Sequence, residues 1–308
     1  MNYKMMGRFL AQILFIEAFF MLPALGISLY CGETMAVKGF LIAIAVALAT
    51  AVILFRICRG APSAFYAKEG FVIVALSWIA LSVFGALPFF FSGAIPNFID
   101  ALFETVSGFT TTGASILSDV EALSYCSLLW RSFTHWIGGM GVLVFVMAII
   151  PSLCDRSIYI MKAEMPGPIV GKLVPKVRST ATILYLIYVG MTVIQVILLL
   201  CGGMSLFDSL IHTFGTAGTG GFGIKADSIG SYSSYLQWVI TVFMILFGIN
   251  FNLYYLILIK KAKVALSSGE LWCYLGIVLT SIVVISFNIS LPLAIIFIFN
   301  TPAKLSLF

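Results

Sequence analysis

The sequence predicts an all-α polytopic membrane protein, and three observations carry that prediction. The first is composition: of 308 residues, 61% are hydrophobic and 9% charged. Mean hydropathy is +1.12, a balance that would leave a soluble domain without a surface that water can solvate. The second is a series of apolar runs, each long enough for the roughly 30 Å of a bilayer core. The third is an internal repeat. The stretch from Asn97 to Ser115, NFIDALFETVSGFTTTGAS, returns from Ser205 to Gly223 as SLFDSLIHTFGTAGTGGFG. A shift of 108 positions lays Asp100 on Asp208, Thr105 on Thr213, Thr111 on Thr219 and Gly113 on Gly221.

In chain order, residues 9–30 form the first run, behind Lys4 and Arg8. No A-x-A-like exit follows it, so it reads as a span rather than a signal peptide. A second span covers 39–55, closed by Arg56 and Arg59, and a third covers 71–91, with Pro88 near its end. Residues 97–115 and 205–223 each begin with a capping residue, Asn97 or Ser205, and carry an aspartate three positions later. This variant of the capping box predicts a short helix, which then runs into a Thr/Gly cluster too small and flexible to stay helical. The fourth span is 130–150, where Gly138, Gly139 and Gly141 would allow close approach of neighbouring helices. A polar segment, 151–180, carries Pro166, Pro168 and Pro175. Further spans follow at 181–201, 236–259 and 271–289.

Basic residues test this topology. With the N-terminus in the cytoplasm, the inner segments hold all of the 17 lysines and arginines except Lys38, Arg131, Lys225 and Lys304. The positive-inside rule holds only if both helix–loop segments re-enter from outside and do not cross. Glu33, Asp100, Glu104, Asp119, Glu121, Asp208 and Asp227 then make an acidic outer face that concentrates cations.

A bare loop at membrane depth is tolerated only where it lines a protein cavity or water. Two readings fit: a cation filter, in which backbone carbonyls replace the hydration shell, or broken helices that pack the halves of an ordinary transporter. The compositions of 110–115 and 218–223 suit a filter, with glycine for unusual backbone angles and threonine for an extra hydroxyl. Each short helix would also aim its partially negative C-terminal end at the ion. Elsewhere, Glu17 inside a span would ordinarily flag function, and reads as an interhelical hydrogen-bonding group only where a family resemblance makes that span peripheral. His135 reads as a packing residue and His212 as a vestibule candidate. Arg131, between Trp130 and Trp136, reads as a headgroup anchor. The six cysteines read as small buried apolar residues. No nucleophile–base arrangement, metal cluster or nucleotide loop stands out, so neither an enzyme nor a nucleic-acid partner is expected.

The runs TTTGASIL and LLWRSFTHWIGGMGVLVFVMAIIP closely resemble the first repeat of the TrkH/KtrB superfamily of bacterial potassium transporters. So do KEGFVIVALSWIALSVFGALPFFFSG before them, and GTGGFGIKADSIGSYSS and WVITVFMILFGINFNLYYL after them. The likeness covers most of residues 1–285 and fades after Asn288. It implies four helix–pore loop–helix repeats around one pore, preceded by an extra helix pair. On that scheme 1–60 is the N-terminal pair, 61–160 and 161–265 are two repeats, and 266–308 starts a third. It also implies a K+ selectivity filter from Thr110, Thr111, Thr112 and Gly113 with Gly218, Thr219, Gly220 and Gly221. The function implied is symporter- or channel-type potassium uptake at the bacterial inner membrane. A cytosolic TrkA-type nucleotide-binding subunit and a homodimer are the implied partners, with lipid around the helices. A third filter glycine at the same offset would fall beyond Phe308. The chain therefore resembles an interrupted subunit, whose alternative role is a non-conducting remnant or assembly partner.

Overall fold

The computed structural model describes residues 2–60, 67–139, 141 and 177–300. Every regular element among them is a helix. Five of the described helices are long and apolar enough to cross a membrane, or six if one bent pair counts as a span. The chain divides into two units, Met1–Tyr255 and Leu256–Phe308.

In the first unit, α1 (Tyr3–Phe20) begins where Asn2 Oδ1 accepts the Met5 amide at 3.2 Å. That cap sets the start well ahead of the residue 9 expected from apolarity alone. Pro23 lacks the amide that would continue α1, so α2 (Leu22–Tyr30) starts afresh with proline in its first turn. Helix α3 (Thr34–Ile57) buries Ala36, Gly39, Ala43, Ala47 and Ala51, one small residue per turn. This stripe lets α1 and α4 (Ala67–Ser92) approach closely. A Cβ added at Gly39 would stand 2.5 Å from the Ser92 amide nitrogen.

The short helices α5 (Phe98–Phe109) and α8 (Leu206–Ala217) have 12 residues each. Their starts and ends are related by the same 108-position shift that the sequence shows. Between them runs α6 (Tyr125–Gly139), packed against α2, α5 and α8. Helices α7 (Val177–Cys201) and α9 (Ser234–Phe247) enclose the far side of α8. The core joins Phe9, Ile13, Phe40, Phe89, Phe109 and Trp130, and the Trp130 indole N–H donates to the Gly85 carbonyl at 2.9 Å.

Three expectations need correction or trimming here. The span expected at 236–259 is broken: α9 and α10 (Phe251–Leu258) meet at a 91° bend. Gly248 ends α9, Asn250 Oδ1 accepts the Asn252 amide at 3.0 Å and so caps α10, and the Tyr254 hydroxyl satisfies the Leu246 carbonyl at 2.6 Å. Alone, α9 is about 21 Å long, short of the bilayer core. The cysteines are not uniformly buried: Cys58 and Cys126 are, whereas Cys31, Cys201 and Cys273 are exposed. An apolar side chain at the surface of a membrane protein can face lipid instead of core. The fourth expected span is described only to Gly139 and again at Gly141, and most of 151–180 lies outside the described residues.

In the second unit, α11 (Ala262–Leu266) leads into α12 (Gly269–Asn300), a continuous helix past the residue 289 where a span was expected to end. The Trp272 indole donates to the Leu266 carbonyl at 2.7 Å.

Candidate functional site

The two Thr/Gly segments leave their helices by the same backbone route. Thr110 and Gly218 cap α5 and α8 with φ of −80° and −78°. The next residues turn left-handed, Thr111 at φ 55° and Thr219 at 58°. Two positions on, Gly113 and Gly221 both have φ 77°. For threonine this conformation is disfavoured, and it persists only where the surroundings impose it. The amides of Thr111 and Thr219 hold it by donating to the Gly108 and Thr216 carbonyls at 3.0 and 2.8 Å.

The segments also touch. A Cβ added at Gly113 would overlap the Gly220 carbonyl oxygen, and one at Gly220 would stand 3.1 Å from the Thr111 carbonyl oxygen. Around the first segment, hydrogen bonds end on the carbonyls of Val106, Ser107, Gly108 and Ala114. Around the second they end on those of Phe214, Gly215, Thr216 and Gly223. Among the described residues, the carbonyls of Thr110–Gly113 and Gly218–Gly221 accept none. Eight predicted site residues therefore lie in two facing segments, both at the C-terminal ends of short helices. The Thr110 and Thr112 hydroxyls pair at 2.9 Å.

Helix α6 supports both segments through glycine. A Cβ at Gly138 would overlap the Phe109 carbonyl oxygen, and one at Gly139 would stand 2.9 Å from the Ala217 carbonyl oxygen. These glycines allow approach to the ends of the short helices, beyond the helix–helix contact their spacing suggests. His135, fully buried, backs the second segment, with its ring 3.9 Å from that of Phe222.

Arg131 overturns its reading as a headgroup anchor. It is 3% exposed, and its Nε donates to Glu104 Oε1 at 2.5 Å. The Nη1 group donates to the Gly223 carbonyl at 3.1 Å, and the guanidinium lies 3.5 Å from the Phe222 ring centroid. Trp130 is fully buried, and Trp136 is half-buried against the core, donating to Thr192 at 3.1 Å. Glu104, expected on an acidic outer face, is 1% exposed. Besides Arg131, it accepts the Ser115 hydroxyl and the Ile116 amide, both at 3.0 Å. Neither pairing was legible beforehand, because Glu104 and Arg131 are 27 residues apart and meet only through the crossing of α5 and α6.

His212 occupies the position in α8 that Glu104 holds in α5. It is buried rather than open to a vestibule, and its Nε2 lies 3.3 Å from the Tyr232 hydroxyl. That hydroxyl donates to Asp208 at 3.4 Å. Burial first, then the Asp208 carboxylate, push the Tyr232 phenol up to about 12, so it remains a neutral donor. Two other acids act as long-range caps. Glu33 accepts the Tyr125 amide at 2.9 Å at the start of α6, and Glu121 accepts the Ala226 amide at 3.2 Å across the two post-segment loops. Glu17 corrects its reading as a hydrogen-bonding group: it is buried beside Gly85, and neither oxygen has a partner among the described residues.

Membrane-length helices beside paired short helices, with bare carbonyls at the ends of the short ones, define a polytopic membrane protein. Residues 36–300 match the family described as TrkH, cation transport protein, and the chain belongs to that family, one of transporters rather than enzymes. The match runs past Asn288, where the sequence likeness was expected to fade, and starts within α3. Curated relatives include the Trk system potassium uptake protein TrkH of Salmonella typhimurium, 38% identical over 78% of this chain and 50% of the relative. The Escherichia coli K12 protein of that name is 39% identical over 70% of this chain and 46% of its own. The crystal structure of the potassium transporter TrkH from Vibrio parahaemolyticus aligns with TM-score 0.71 and 28% identity, covering 83% of this chain and 52% of that one. The chain thus spans about half the length of the relatives it matches.

Proposed function

We propose that Thr110–Gly113 and Gly218–Gly221 form part of the K+ selectivity filter of a potassium-uptake transporter. The observation that carries this reading is that, among the described residues, the backbone carbonyls of two facing segments at the C-terminal ends of short helices accept no hydrogen bond. Thr110, Thr112, Thr219 and Gly221 are exposed, so their carbonyls are open to a dehydrating cation and can replace its water ligands. The C-terminal ends of α5 and α8 add partial negative charge at the same place, which favours a cation over an anion. The potassium-uptake names of the relatives support K+ as the ion.

The protein works in the bacterial inner membrane with its N-terminus in the cytoplasm, together with a cytosolic TrkA-type nucleotide-binding subunit and as a homodimer. Residues 1–60, 61–160, 161–265 and 266–308 are its helix pair, two repeats and the start of a third. Cysteine labelling from one side of the membrane tests the orientation: position 119 labels from outside and position 172 from inside, and the reverse pattern overturns it.

The filter reading is tested by Rb+ uptake, with K+ and Na+ as competitors, in a potassium-uptake-deficient bacterium expressing the transporter. Discrimination against Na+ that Gly113→Ala and Gly221→Ala both leave intact would overturn the assignment. Growth at low K+ on this 308-residue chain alone would establish that two copies complete a pathway.

A further inference from the structure

We propose that Arg131 and Glu104 form a positioning clamp that fixes the two Thr/Gly segments against each other, and so sets the discrimination between cations. The inference rests on the filter reading above only for its second half.

The pair is built to join the segments rather than to bind lipid or solvent. Glu104 sits in α5, and its carboxylate gathers the outgoing strand of the first segment through the Ser115 hydroxyl and the Ile116 amide. Arg131 sits in α6 and takes the same carboxylate through Nε. Its Nη1 reaches the Gly223 carbonyl on the outgoing strand of the second segment, with the guanidinium against Phe222. One planar fork therefore ties two loops 108 positions apart in sequence, a geometry that lysine cannot copy.

Stability alone is a poor reason for such a pair. Removing two charges from water offsets most of their attraction, and shape-matched neutral replacements of buried pairs are often neutral or stabilising. What neutral replacement loses is direction. The Gly223 carbonyl is no longer pulled toward the α5–α6 crossing, and the contact of Gly113 with Gly220 loses its outer brace. The repeat itself offers no substitute, because the residue corresponding to Arg131 is Val239 and that corresponding to Glu104 is His212.

The decisive variant is Arg131→Met with Glu104→Gln. The amide oxygen that Glu104→Gln leaves in place still accepts from Ser115 and Ile116, so only the bridge to the second segment is cut. Spin labels at Ile116→Cys and Ile224→Cys, with the six native cysteines replaced, report the loop-to-loop distance without requiring transport. The expected result is an unchanged or higher unfolding temperature, a clearly broadened distance distribution and about tenfold or greater loss of K+ over Na+ discrimination in uptake. That factor is the scale of one lost hydrogen bond to a charged group. An unchanged distance distribution in the folded double variant would overturn the clamp. Should the double variant not fold, Arg131→Lys decides by the same measurement: broadening supports the clamp, and a native distribution overturns it. Failure of both variants to fold would assign the pair to stability and overturn the proposal. A parent protein that does not discriminate K+ from Na+ would remove the filter reading, while the spin-label distances would still judge the clamp.

Discussion

The two Thr/Gly segments share a backbone and differ in what holds it. Both run from a right-handed cap through a left-handed threonine to a left-handed glycine. The first is held by side chains: Ser107 Oγ donates to the Ala114 carbonyl at 2.5 Å, and Glu104 collects Ser115 and Ile116. In the second, the equivalent positions are Gly215, His212 and Gly223. There the Gly221 amide donates to the Gly215 carbonyl at 3.0 Å, and Arg131 and His135 reach in from α6. One conformation can thus be secured by local hydroxyls and a carboxylate, or by glycine packing plus a neighbouring helix.

The largest expected effect separates the two glycines. Alanine at either must adopt positive φ, at a cost on the order of 1 kcal/mol. At Gly113 the new Cβ also overlaps the Gly220 carbonyl oxygen, whereas at Gly221 it meets only Met244 Cε, at 3.5 Å. Gly113→Ala should abolish selective Rb+ uptake, and Gly221→Ala should reduce discrimination by about tenfold, the equivalent of that strain. Equal losses would break the comparison.

Next comes the exchange of supports. Gly215→Ala places a Cβ onto the Phe222 carbonyl oxygen, which backbone cannot easily yield, so a marked drop in detergent unfolding temperature is expected. Ser107→Ala instead leaves the Ala114 carbonyl unpaired, a loss of about 1–3 kcal/mol and a smaller drop. The opposite order in a thermal melt would show that the first segment, not the second, tolerates less change.

The α6 support predicts an intermediate effect on both segments together. Gly138→Ala drives a methyl into Phe109 at the end of α5, whereas Gly139→Ala drives one toward Ala217 at the end of α8. Each should therefore disturb the spin-label distance between positions 116 and 224. A change from one but not the other would mean that α6 braces only one segment.

The smallest effect belongs to the outer loop. Tyr232→Phe removes weak contacts to His212 and Asp208, at 3.3 and 3.4 Å, and should lower stability by about 0.5–1 kcal/mol with little change in discrimination. The phenol stays protonated up to about pH 12, so uptake between pH 7 and pH 10 should show no step belonging to Tyr232. A titration near pH 10 that disappears in Tyr232→Phe would contradict the half-buried, neutral phenol.

Local patterns made much of this legible from sequence. Apolar runs located the spans, because a bilayer demands length and apolarity whatever the neighbours are. The repeat located the short helices and their Thr/Gly ends, since caps and glycine act within a few residues. The bend at Gly248 was missed because apolarity runs straight through it. Its signal was nonetheless present as Gly248 followed by Asn250, a helix stop and a helix start.

Sequence by itself thus determined the membrane class and the places of the two short helices with their Thr/Gly ends, all governed by interactions of short range along the chain. Only the tertiary structure decided that Arg131 and Glu104 are buried partners, that Glu33 caps α6, that Trp130 lies in the core and that Gly113 meets Gly220. The reason is physical: a charged or aromatic side chain in a membrane protein can face headgroups, lipid or a protein partner. Which it faces depends on the helix that crosses behind it.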